Sequence, residues 1–116
     1  MTLQVFLVED DPEFGRSLVE LIRSTPLLEL AGWSDSIAQA KSDISTTNAD
    51  VYLVDLGLPD GSGQTIIELL AHTRPHARVM VLSTLGDPKH ILTSLERGAH
   101  GYLLKSDPPE IGRAHV

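Results

Sequence analysis

Hydrophobic positions along this chain fall into two alternating kinds of stretch. The first is a short, nearly unbroken apolar run: residues 3–8 (LQVFLV), 51–54 (VYLV), 79–82 (VMVL) and 101–104 (GYLL), each followed by polar or turn-forming residues. Runs of this length suit strands buried on both faces of a parallel sheet. Residues 28–33 (LELAGW) alternate weakly and are interrupted by Gly32, which predicts an edge strand.

The second kind repeats apolar residues every three or four positions, the period of a helix packed on one side. Phe14, Leu18, Leu21 and Ile22 follow Pro12 and Glu13, a good helix opening because proline there gives up no needed hydrogen bond and an acid favours the positive end. Ser24, Thr25 and Pro26 end that segment. Ile37, Ala40 and Ile44 lie behind the capping residues Ser34, Asp35 and Ser36. Residues 63–73 carry Ile66, Ile67, Leu69 and Leu70, and stop before Pro75. Asp87 and Pro88 open a segment bearing Ile91, Leu92 and Leu95, with Gly98 placed as a left-handed cap. A last helix is expected from Asp107, but only seven residues remain after Pro109.

Strand and helix signals alternate throughout, which predicts one α/β domain over residues 1–116: a doubly wound parallel sheet covered on both sides by right-handed crossovers. With 41% hydrophobic and 4% aromatic residues, the core is aliphatic. The absence of cysteine rules out disulfides and thiolate metal sites and fits a cytoplasmic setting. The first residues lack a signal-peptide pattern, and no apolar run approaches the roughly 18 residues of a membrane span. A formal charge of -7 argues against this domain gripping a nucleic-acid backbone by itself.

In a parallel sheet every carboxyl end lies along one edge, where ligands bind in open α/β folds. Four of the predicted strand ends bring polar groups there: Glu9-Asp10-Asp11, Asp55, Ser83-Thr84 and Lys105. An aspartate in the place of Asp55 also suits capping of the turn that follows it. The company decides otherwise, since two carboxylates about 4 Å apart repel by roughly 4 kcal/mol at an effective dielectric near 20. A hard divalent cation relieves that repulsion, and oxygen ligands without histidine or cysteine favour Mg²⁺. Carboxylates also serve as phosphoryl acceptors, so the set predicts in-line phosphoryl transfer to Asp55, with Lys105 and a hydroxyl neutralising or bonding the transferred group.

The segments LVEDDPE, YLVDLGLPDGSG, VMVLST and GAHGYLLK, in this order, resemble the receiver domain of bacterial two-component response regulators, and GAHGYLLK is most similar to the NarL/LuxR class. The resemblance runs from Leu3 to about Ile111. It implies a flavodoxin-like five-stranded sheet in the order 2-1-3-4-5. It implies further that Asp55 is the phosphoacceptor, that Glu9, Asp10, Asp55 and the carbonyl of Gly57 hold Mg²⁺, and that Asp11 has no ligand role. Ser83 and Thr84 compete for the hydroxyl position, and the family pattern selects Ser83. Ser83 and Tyr102 then form a switch that responds to phosphorylation. The implied partners are a sensor histidine kinase and a second copy docked through residues 88–97, the fifth strand and the last helix. DNA contact is implied only through a C-terminal helix-turn-helix domain absent from these residues.

Departures from the pattern are Ser106 where proline is common, Gly57 without a side chain two positions after the acceptor, and Leu85 two positions after Ser83. The last two predict an atypical phosphoryl lifetime. The tail PPEIGRAHV supplies about nine residues where a covering helix needs roughly twelve, so the final helix is expected to be short or truncated. Two other readings are a Mg²⁺-dependent phosphohydrolase of the haloacid-dehalogenase type, which Gly57 disfavours because an acid belongs there, and a phosphorylation-independent pseudo-receiver. His72, His76, His90, His100 and His115 read as ordinary surface positions, and Trp33 as strand packing.

Overall fold

The computed structural model describes residues 1–84 and 88–105. The expectations for Leu85, Asp87, Ser106 and the last helix lie outside the described residues. Strands β1 (Leu3–Val8), β2 (Leu28–Ser34), β3 (Val51–Asp55), β6 (Arg78–Ser83) and β7 (Gly101–Leu104) form one sheet in the order β2-β1-β3-β6-β7. Every neighbouring pair is parallel. This is the expected 2-1-3-4-5 order, numbered differently because β4 (Gly57–Leu58) and β5 (Gly61–Ser62) add a small antiparallel hairpin after β3. Ala31 is skipped where Val5 pairs with Leu30 and Phe6 with Gly32, so the edge strand carries a bulge at the interruption read from Gly32.

Helices α1 (Pro12–Ser24), α2 (Ile37–Thr46), α3 (Gln64–Thr73) and α4 (Pro88–Arg97) connect the strands. The alternation of side chains along each central strand divides the core between the two sheet faces. On one face Val5, Leu7, Leu53, Leu82 and Leu103 meet Leu18, Val19 and Ile22 of α1. On the other, Phe6, Val8, Tyr52, Val54, Val79 and Val81 meet Ile37, Ala40 and Ile44 of α2 and Ile66, Ile67 and Leu70 of α3. Each such aliphatic side chain contributes roughly 1.5–3 kcal/mol by leaving water. Of the residues predicted to face the core, Leu92 is instead 57% exposed on α4.

Local chemistry fixes the element ends. Asp11 caps α1, accepting from the amides of Glu13 (3.0 Å) and Phe14 (3.3 Å), which accounts for the third acid of the run without a ligand role. Of the three residues proposed to cap α2, Ser36 does so, accepting from the amide of Gln39, whereas Ser34 closes β2 and its hydroxyl donates to Asp43 at 2.6 Å. Gly98 has φ +128°, in keeping with its predicted place past the end of α4. His100 is no ordinary surface residue. It is half-buried, its Nδ1 accepts from the amide of Val79 (3.0 Å), and its own amide donates to the Val79 carbonyl (2.7 Å).

Candidate functional site

The carboxyl ends of β1, β3, β6 and β7 deliver the predicted polar residues to one edge. Glu9 is fully buried, Asp55 is 6% exposed and Asp10 is exposed, and one carboxylate oxygen from each lies within 4.8 Å of the others. The Lys105 ammonium sits 2.8 Å from Glu9 Oε1 and 3.6 Å from Asp55 Oδ2. It also lies over the Phe14 ring, 4.9 Å from the centroid, so α1 supplies an aromatic floor beneath the cation. The other oxygens are held by the backbone: the Asp11 amide donates to Glu9 Oε2 (3.0 Å) and the Gly57 amide to Asp55 Oδ1 (3.2 Å).

Burial dominates the electrostatics. It pushes the Glu9 carboxyl up to about 7, against the opposing pull of the Lys105 ammonium. Burial likewise raises Asp55 above the ordinary carboxylate range. Lys105 loses solvation as well, yet the adjacent carboxylates of Glu9 and Asp55 outweigh that loss and raise its pKa. Among the described residues, two of the three carboxylates pair with the Lys105 ammonium, and the donors on offer are hard oxygens. That set fits a small divalent cation, which would supply the positive charge the pocket lacks.

Outward from the carboxylates opens a cavity of about 860 Å³, lined by Asp10, Asp55, Gly57, Ser83, Thr84 and Lys105 among others. Both candidate hydroxyl residues, Ser83 and Thr84, therefore border it. Lys105 and Ser83 are joined through the backbone as well, the Lys105 amide donating to the Ser83 carbonyl at 2.6 Å. Tyr102 is not among the cavity residues. It is half-buried and packs against the core on the α2 and α3 face.

Some residues that shape the site carried no readable signal. Gly63 precedes α3, and a Cβ there would lie 2.0 Å from the Asp55 carbonyl oxygen, so only glycine lets α3 start against the end of β3. Asp60, at the tip of the hairpin, accepts from the amides of Ile37 (2.8 Å) and Ala38 (3.0 Å), tying the loop after Asp55 to the start of α2. Trp33 does more than pack, because its indole donates to the Glu9 carbonyl at 2.9 Å. By contrast, the Cβ of a side chain at Gly57 would meet nothing within 4 Å.

Residues 5–115 match the family model of the response regulator receiver domain. The chain belongs to that family. Among curated relatives, this receiver domain is 32% identical over 103 residues to the DNA-binding transcriptional activator DevR/DosR of Mycobacterium tuberculosis, covering 89% of this chain and 48% of that protein. It is 28% identical over 106 residues to the nitrate/nitrite response regulator NarL of Escherichia coli, covering 91% and 49%. The chain thus spans about half the length of the curated relatives it matches. Among solved structures, the receiver domain resembles a LuxR-family response regulator from Aurantimonas, with TM-score 0.85, 25% identity and coverage of 94% of this chain and 78% of that one. A BeF3-activated DrrB receiver domain aligns with TM-score 0.81 and 27% identity, covering 96% and 91%. These matches support the receiver reading over the phosphohydrolase and pseudo-receiver alternatives. Among the described residues, no helix is long and apolar enough to cross a membrane.

Proposed function

We propose that this receiver domain accepts a phosphoryl group on Asp55 from the phosphohistidine of a sensor kinase. The observation that carries the reading is the convergence of Glu9, Asp10 and Asp55 within 4.8 Å, with the Lys105 ammonium against two of them, at the mouth of a cavity bearing hydroxyls. An Asp55 carboxylate oxygen forms a bond to phosphorus as the phosphorus–nitrogen bond of the donor breaks, and the electron pair leaves on the imidazole nitrogen. Lys105 draws charge from the transferred oxygens, and the Asp55 amide neighbour at Gly57 orients the attacking carboxylate. Glu9, Asp10, Asp55 and the Gly57 carbonyl would hold Mg²⁺. When bound, that ion neutralises charge on the phosphoryl oxygens.

The domain is a self-modifying acceptor in this reading, catalysing its own phosphorylation and hydrolysis. Ser83, on the cavity wall, turns its hydroxyl to the phosphoryl group, and Tyr102 on the neighbouring strand follows it inward. The consequence is a changed surface at α4 and β7, where Leu92 already presents apolar area for a second copy. The output in this reading is transcriptional, as the name of the DNA-binding transcriptional activator DevR/DosR gives it for that relative, with DNA contact made outside these residues.

Incubation with acetyl phosphate and Mg²⁺, followed by intact mass, tests this. One added phosphoryl group, labile to alkali, blocked by a chelator and lost in Asp55→Asn, is the expected result. A phosphoryl group that persists in Asp55→Asn, or steady turnover of general phosphate esters, overturns it.

A further inference from the structure

We propose that Trp33 is a positioning residue for the metal-binding acidic pair, acting through the main chain of Glu9; this rests on the metal reading above. The ladder between β1 and β2 ends where Val8 pairs with Ser34. Glu9 is the next residue and is fully buried, so its backbone groups still need partners. Its amide donates to the Ser34 carbonyl at 2.9 Å. Its carbonyl is met by the Trp33 indole Nε1–H, also at 2.9 Å, a side chain standing in for the strand that has stopped. The carboxylate is fixed on its other sides by Lys105 and the Asp11 amide.

The indole is wedged in place, and α1 is built around it. A Cβ at Gly15 would lie 2.1 Å from Cζ2 of Trp33 and 2.6 Å from Cη2. Glycine inside a helix costs about 1 kcal/mol relative to alanine. Here that cost makes room for a ring whose polar atom reaches the ligand-bearing turn. Packing alone would be met by an aliphatic side chain at position 33 and an alanine at 15. The indole N–H is the feature that a purely steric account leaves unused.

Trp33 therefore sets where Glu9 and Asp10 present their carboxylates. Losing the donor frees the Glu9 carbonyl and lets the turn relax, and outer partners of metal ligands typically change affinity on the order of tenfold or more. The test is calorimetric titration of the 116-residue chain with MgCl2, beside thermal unfolding without metal. Trp33→Phe deletes the donor and keeps an aromatic ring at the position, while vacating the space of Cζ2 and Cη2 beside Gly15. Its Mg²⁺ dissociation constant is expected to rise about tenfold. Should Trp33→Phe fail to fold, β-(3-benzothienyl)alanine at position 33 replaces the N–H by sulfur at almost unchanged shape, with the same expectation. Unchanged Mg²⁺ affinity in the folded variant, whatever happens to its melting temperature, overturns the positioning role alone. Absence of Mg²⁺ binding by the unsubstituted chain overturns the metal reading and this proposal together.

Discussion

The two sides of Asp55 are built on opposite plans. Toward β1 and β7, Glu9 has partners for its amide, its carbonyl and both carboxylate oxygens, and Lys105 is sandwiched between carboxylates and the Phe14 ring. Toward the hairpin and β6, the same aspartate faces an open cavity whose wall includes Gly57, Ser83 and Thr84. Charge must be held at fixed geometry if transfer is to need no reorganisation, so the first side is rigid. A group that arrives, leaves and is sensed needs room, so the second side is open.

The largest effect on this contrast comes from removing the cation on the rigid side. Lys105→Ala leaves buried Glu9 and Asp55 without their shared ammonium. Breaking a buried ion pair is strongly destabilising, and here the loss is expected near about 3 kcal/mol, the low end of that range, because Glu9 already holds its proton readily. Urea unfolding at neutral pH measures it. A loss below about 0.5 kcal/mol would show Lys105 behaving as an exposed partner. Next comes Gly63→Ala, which drives a Cβ against the Asp55 carbonyl and is expected to cost about 1–3 kcal/mol, with phosphoryl acceptance reduced alongside. Equal stability and equal phosphorylation in that variant would mean that α3 moves freely relative to β3.

The rigid side was the more legible in sequence. Acidic residues and a lysine following apolar runs are signals of residue type, and parallel topology alone carries them to one edge. The ends of most elements were readable for the same reason, since burial on two faces imposes continuous apolar runs, whereas the strand order came only with the family resemblance. What stayed hidden depends on distances between elements. Nothing in GWS marks an indole aimed at the carbonyl of Glu9, and nothing in PDG marks a carboxylate capping another element's helix. His100 was misread because a lone histidine carries no sign that its ring completes the ladder of β6. Leu92 was misread because helical period places it beside Ile91 without saying how wide the covered stripe is.

On the open side, Gly57→Asn should leave stability within about 0.5 kcal/mol, because the added Cβ meets nothing within 4 Å. Its expected effect is on the phosphoryl group alone. Decay of phosphorylated Asp55 is followed in both proteins, and identical rates would refute the link between this missing side chain and lifetime.

The smallest effect is expected where the open side is anchored. Asp60 accepts from the amides of Ile37 and Ala38, and those bonds hold its carboxyl below the ordinary value near 3.9. A carboxyl with a depressed folded-state pKa stabilises the fold fully above its unfolded value and loses that contribution as pH falls through the folded one. Asp60→Ala should therefore be less stable than the unsubstituted domain by a constant amount from pH 7 down to about 5, with the two converging below about 4. The side chain is fully exposed, so salt should narrow the gap as well. A difference that stays constant through acid pH would assign the loss to loop conformation, and the hairpin would then hold its place beside Asp55 without the charge at its tip.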